Sequence, residues 1–140
     1  MIDIETHVVD AVARALKAAH GDIAVHSEHL NAPARLPCVM IYESSNTTFS
    51  PTWDEQGEHH AEVRYAVEVY ANDQNGKKAR GKAIARTVDE TMLGLGFARA
   101  SKQYSFGTNE STLFAVTMGY IGVAGESYAG GANEIMIYRR

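Results

Sequence analysis

Hydrophobic and polar positions alternate most regularly between Ala61 and Asn72, where Val63, Tyr65, Val67 and Val69 share one parity and Glu62, Arg64, Glu68 and Tyr70 the other. A period of two over that length predicts a strand with one buried and one wet face. Asn72-Asp73-Gln74-Asn75-Gly76 interrupts it with turn chemistry. From Lys77 to Leu95 the apolar positions switch to helical spacing, at Ala83/Ile84, Val88, Met92 and Leu95. Gly94-Leu95-Gly96-Phe97 closes that helix with a left-handed-cap signal and returns at once to an apolar residue.

The same periodicities organise the flanks. Ile4, Val8, Val12, Ala15/Leu16 and Ala19 recur every three or four residues, which predicts a helix over Asp3–Ala19 with acids at its start and Gly21 after its end. Ile23–His26 has the composition of a short edge strand. Asn31–Pro37 is too proline-rich to pair inside a sheet, and Cys38–Glu43 reads as a strand carrying Val39, Met40 and Ile41. Phe97–Gly107 and Thr112–Ala124 follow the second helix as two antiparallel strands joined through Thr108–Ser111. In the latter, Phe114, Val116, Met118 and Tyr120 alternate with Leu113, Ala115, Thr117 and Ile121, so both parities are largely apolar. Such a strand is central and covered on both faces, or covered on one and in an assembly contact on the other.

The element order α-β-β-α-β-β predicts an α+β fold, with both helices on one face of a mostly antiparallel sheet of four to five strands. We expect one domain over residues 1–124. Residues 125–140 form a flexible glycine-rich arm, ending in the short β-prone segment Glu134–Tyr138.

Two polar intervals carry apolar side chains that need burial. Ser44–His60 is far longer than a hairpin loop of about 2–5 residues, and it holds Phe49, Pro51 and Trp53, the sole tryptophan. These aromatics pack either on the chain's own core or on a partner. At the C-terminus, Ile135, Met136, Ile137 and Tyr138 are too apolar to stay loose in water yet too few to stand alone. They add a strand to a sheet edge, on this chain or on a neighbour. Phe49, Trp53, Ile135, Ile137 and Tyr138 are therefore the candidate interface residues.

Composition narrows the class. The chain has 140 residues, 45% apolar and 21% charged, a globular composition and enough chain for one ordinary core. No apolar run approaches the roughly 18–20 residues of a membrane span, and the acidic start Met1–Glu5 lacks the features of a signal peptide. One cysteine, Cys38, excludes an internal disulfide framework. The net charge of −4 argues against sequence-specific nucleic-acid binding. The basic cluster Lys77, Lys78, Arg80, Lys82 and Arg86 reads as the solvated face of a helix.

The residues offer no catalytic or metal-ligating constellation. His26-Ser27-Glu28-His29 lacks the spacing and helical context of a zinc protease, and His59-His60 would face opposite ways in a strand. Cys38 reads as a buried apolar thiol. Nucleophile elbow, Walker and dinucleotide fingerprints are all missing, and Gly94-x-Gly96 ends a helix where a phosphate cradle would open one. No cofactor and no enzymatic step are expected.

The order V-x-Y-x-V-x-V-Y-A from Val63 to Ala71, the basic-flanked helix, then D-E-x-x-x-G-L-G-F-x-R from Asp89 to Arg99 resembles the tail-completion (tail-terminator) proteins of long-tailed bacteriophages. The proline-bounded strand Leu36–Ile41 and the F-A-V-T-M-G-Y-I-G-V strand from Phe114 to Val123 are similar to the same pattern. The resemblance implies a homo-oligomeric ring, typically a hexamer, that caps the tail tube protein on one side and meets the head–tail connector or neck on the other. It also implies a virion location, with assembly in the host cytoplasm, and no cofactor, membrane or sequence-specific nucleic-acid partner. These motifs are structural, so two alternatives stay open: another neck or head-completion protein of the same particle, and a small ferredoxin-like enzyme. The glycine-rich stretch after Gly125 departs from the pattern.

Overall fold

A computed structural model describes residues 3–30, 35–48, 60–72, 77–106, 114–126 and 133–136. Helix α1 spans Glu5–His20 and α2 spans Lys77–Leu95. Strands β1 (Ala24–His26), β2 (Cys38–Thr48), β3 (His60–Ala71), β4 (Ala98–Phe106), β5 (Phe114–Glu126) and β6 (Asn133–Met136) form one sheet. Its lateral order is β1-β2-β3-β5-β4, and every pairing is antiparallel except β1 with β2. This is the expected α+β arrangement, with β1 on the segment read as a short edge strand and β6 on the β-prone C-terminal segment.

One parity of each central strand meets the helices. Ala61, Val63, Tyr65, Val67, Val69 and Ala71 on β3, and Phe114, Val116, Met118 and Tyr120 on β5, are buried. Val8, Val12 and Leu16 from α1 and Ile84, Ala85, Val88 and Met92 from α2 join them in one core. Each buried Val, Leu, Ile, Phe or Met side chain here contributes about 1.5–3 kcal/mol relative to exposure. Ala83, expected on the α2 stripe, is exposed, and Gly81 is buried in its place. A Cβ on Gly81 would lie 2.6 Å from Cδ2 of Phe114, so glycine there lets the strand's aromatic ring reach the helix backbone.

The predicted cap of α2 is present. Gly96 (φ 113°) follows the last turn; its N–H donates to the Leu93 carbonyl at 3.1 Å, and the Phe97 N–H donates to that of Met92 at 3.0 Å. This paired arrangement is a Schellman motif. It turns Phe97 into the core, where its ring meets Tyr65 edge-on at 5.3 Å.

β2 is longer than its apolar run. Ser45–Thr48 pair with Arg64–Ala61 after an irregularity between Glu43 and Ser45. Periodicity could not reveal this extension, because Ser44, Ser45 and Thr47 are exposed polar residues held by backbone pairing. The interval expected as a loop over Ser44–His60 is thus strand up to Thr48, and His60 opens β3; residues 49–59 lie outside the described residues.

β5 likewise runs to Glu126, beyond the expected end of the domain at residue 124. β3 occupies one edge of β5 along nearly its whole length, and β4 occupies the other from Phe114 to Ile121. β6 pairs with Val123–Glu126, so it sits in line with β4 along the same edge.

Candidate functional site

The helix-free face of the sheet carries a polar cluster around Glu68. Its carboxylate accepts from Tyr42 Oη at 3.1 Å and Tyr70 Oη at 2.8 Å, and lies 2.8 Å from His29 Nδ1. Met40 and Glu68 face each other across β2 and β3, and Cys38 faces Tyr70. Burial pushes the Glu68 carboxyl up, but the hydrogen bonds from His29, Tyr70 and Tyr42 together hold it below the usual carboxylate range. Burial, then the Glu68 charge, raises the Cys38 thiol, and the cysteine is buried. The thiol is inert packing and not a nucleophile. The Leu30 N–H reaches Met40 Sδ at 3.3 Å, so the chain after β1 lies over this part of the sheet.

Toward β4 the same face becomes smooth. Ala66, Gly119 and Ala115 are half-buried and Thr117, Ser101 and Gln103 exposed. Among the described residues, the second parity of β5 has no helix over it, in keeping with a strand covered on one face only.

The helix-bearing side ends in two edges of opposite chemistry. At the β1/β2 edge, Asp3, Glu5 and Glu43 crowd together; the Glu43 N–H donates to Glu5 Oε2 at 2.9 Å and Glu43 Oε1 accepts from Asn46 at 2.9 Å. Burial first, then Asp3 and Glu5, push the Glu43 carboxyl up, against the Asn46 hydrogen bond that lowers it. A notch of about 200 Å³ lined by Glu5, Thr6, Val9, Asp10 and Ser27 opens beside them.

At the β4 edge, Tyr104 is 46% exposed and stacks on Phe114 at 5.8 Å. Lys82 Nζ from α2 and Lys102 Nζ from β4 lie 5.1 and 5.2 Å from its ring centroid. A hydrogen bond from Lys102, and then the charges of Lys102, Lys82 and Arg99, make the phenol more acidic than usual. Lys78, Arg80 and Arg86 extend the basic surface along α2, as the helix pattern predicted. Arg99 is drawn inward by Asp89 at 3.1 Å.

Of the five predicted interface residues, Phe49, Trp53, Ile137 and Tyr138 lie outside the described residues. Ile135 is on β6, opposite Ala124 of the same chain. The edge around Tyr104 was not foreseen, because the i, i+2 pair Lys102/Tyr104 meets Lys82 only through the packing of α2 on β4. Among the described residues, no group of three or more His, Cys, Asp or Glu side chains is placed to hold a metal ion. No helix among the described residues is long and apolar enough to cross a membrane.

The fold is thus, among the described residues, an α+β unit with both helices on one face of the sheet and two charged edges. No protein-family model matches the chain, and no curated protein sequence matches it. Among solved structures, a chain described as "Virion of native gene transfer agent (GTA) particle" superposes with a TM-score of 0.56 at 16% sequence identity. The match covers 80% of this chain and 90% of that one. At that identity the likeness is one of fold.

Proposed function

We propose that this chain is a structural virion protein that assembles into a ring, terminates a phage-type tail tube and joins it to the neck. The observation that carries this is the fold shared with a chain of a gene transfer agent virion over most of both chains. The tail-terminator-like residue pattern of Val63–Arg99 and Phe114–Val123 supports it independently. The protein acts by presenting surfaces and not by catalysis. A ring subunit must carry two different, mutually complementary surfaces, and the basic β4 edge and the acidic β1/β2 edge are suited to that demand.

In this reading the aromatics Phe49 and Trp53 contact the tail tube or a neighbouring subunit. Residues 127–140 act as an arm whose β6 strand pairs at home in the single chain and is exchangeable with a neighbour's equivalent edge. The partners are further copies of the chain, most simply six, the tail tube protein and a neck protein, in the virion. A second reading is favoured by the described neighbour being named by its whole particle: another neck or head-completion component of such a particle.

Native mass spectrometry of the full chain, followed by electron microscopy after mixing with tail tubes, tests both. A ring seated on tube ends is expected. A chain that stays monomeric at high micromolar concentration refutes the ring, and a ring that binds portal-side components but never tube ends supports the second reading.

A further inference from the structure

The two charged edges lie at the same level of the sheet. Glu43 on β2 faces Tyr65 on β3, Tyr65 faces Tyr120 on β5, and Tyr120 faces Arg99 on β4. One row of residues thus runs from the acidic edge to the basic edge. The next row on the same face joins Ile41, Val67, Met118 and Lys102. Both the notch beside α1 and the Lys82–Tyr104–Lys102 cluster belong to the helix-bearing side. A second copy placed beside the first brings its basic edge against the acidic edge, with Arg99 level with Glu43 and Lys102 one row away, level with Ile41.

The two edges carry charge of opposite sign. Among the described residues, Lys82 and Lys102 share one tyrosine ring, and no carboxylate is paired with either. Two ammonium groups converging on one exposed ring repel each other, and an incoming anion relieves that repulsion. At the other edge Asp3, Glu5 and Glu43 are mutually repulsive, with Asp10 on the rim of the notch. The outer edge of β2 beyond Met40 is left uncovered by β1, which pairs only Cys38–Met40. The Glu5 carboxylate already occupies the outward N–H of Glu43 there. That leaves the edge receptive to side chains and blunted against strand addition.

We propose that the Lys82–Tyr104–Lys102 cluster of one copy docks into the acidic notch lined by Glu5, Thr6 and Asp10 on a second copy of this chain. The contact is heterologous and head-to-tail, so repetition closes a ring if the rotation per step divides the circle. Tyr104 supplies the apolar area of the contact and the lysines its charge complementarity. This rests on the self-assembly proposed above and names the surfaces that carry it.

Charge swapping tests the contact. K82E/K102E puts two carboxylates on the Tyr104 edge in place of two lysines, and T6K/D10K changes the notch lining from two acids to one acid and two lysines while leaving Glu5 and its hydrogen bond intact. All four positions are exposed, so circular dichroism is expected to show each variant folded as the parent chain is. In 0.1 M salt, size-exclusion chromatography with light scattering is expected to show the parent as a multimer and each variant as a folded monomer. An equimolar mixture of the two variants is expected to reassemble, alternating around an even-numbered ring, because every junction then pairs opposite charges. Raising salt to 1 M, where the Debye length falls to about 3 Å, is expected to weaken the parent multimer.

If the parent is a multimer and either variant keeps its size, the edges are not the interface, although self-assembly stands. If both variants dissociate and the mixture fails to reassemble, the two edges do not meet each other. A monomeric parent overturns self-assembly itself.

Discussion

Tyr65 and Tyr120 stand directly opposite each other on β3 and β5, each 1% exposed, and differ in what their hydroxyls meet. Tyr120 Oη donates to Asp89 Oδ1 at 2.7 Å, within a network that also holds Arg99. The Tyr65 hydroxyl is buried without a hydrogen-bond partner among the described residues. A hydrogen bond to a charged group contributes about 1.5–3 kcal/mol, whereas a buried unpaired polar group costs about 1–3 kcal/mol of desolvation. Tyr120→Phe removes the first kind of interaction. Asp89 keeps Arg99 and is 17% exposed, so the loss falls at the lower end, about 1.5–2 kcal/mol.

Tyr65→Phe removes the second kind. The desolvation penalty disappears, offset in part by the small void the oxygen leaves, for a net change between zero and about 1 kcal/mol of stabilisation. The pair should therefore differ by about 2 kcal/mol, or roughly 30-fold in the unfolding equilibrium. Urea unfolding followed by circular dichroism measures this from the shift in midpoint at unchanged slope. A Tyr65→Phe loss equal to that of Tyr120→Phe would refute the assignment, since it would mean the Tyr65 hydroxyl has a partner.

Four further outcomes are expected. Gly81→Ala should destabilise by about 1 kcal/mol, because forcing a methyl 2.6 Å from the buried Phe114 ring outweighs the helix-propensity gain; Gly94→Ala, with open space around it, should be neutral or stabilising in the same thermal melts. Alkaline titration should destabilise the fold from about pH 10 upward: burial raises Tyr65, Tyr70 and Tyr120, so the unfolded chain releases protons that the folded chain retains. Glu68 has the opposite sign: its folded carboxyl is held low, so its stabilisation is present above the ordinary carboxylate range and is lost as pH falls through the folded value. Glu68→Gln should flatten that acid limb in urea midpoints measured against pH. Truncation after Glu126 should leave a cooperative melt, since the core lies before that point, while native mass spectrometry reports loss of assembly; an intact ring from the truncated chain would rule out the arm.

Much of the fold was legible because period-two and period-3.6 patterns are written by burial. The β3 alternation, the α1 stripe and the Gly96 cap are all consequences of one face meeting the core. Where burial does not decide the residue, the pattern falls silent. Ser45–Thr48 belong to a strand through main-chain pairing and not through an apolar face, and Gly81 is buried because Phe114, distant in sequence, needs its space. The open face of β5 shows the converse: Ala115 and Ile121 read as apolar, yet they mark a surface without a helix over it.

Charge was harder to read than hydrophobicity, for a reason the topology supplies. The basic run of α2 was visible as a solvated helix face, and the acids of Asp3–Glu5 as helix-dipole partners. Each has an adequate local explanation, so neither draws notice alone. Only the strand order β1-β2-β3-β5-β4 places them at opposite edges of one sheet, with Lys82 carried by α2 to Tyr104 and Glu5 carried by α1 to Glu43. A net charge of −4 averages the two edges away. Their separation across the sheet gives the molecule a direction, and direction is the property a heterologous, ring-closing contact requires.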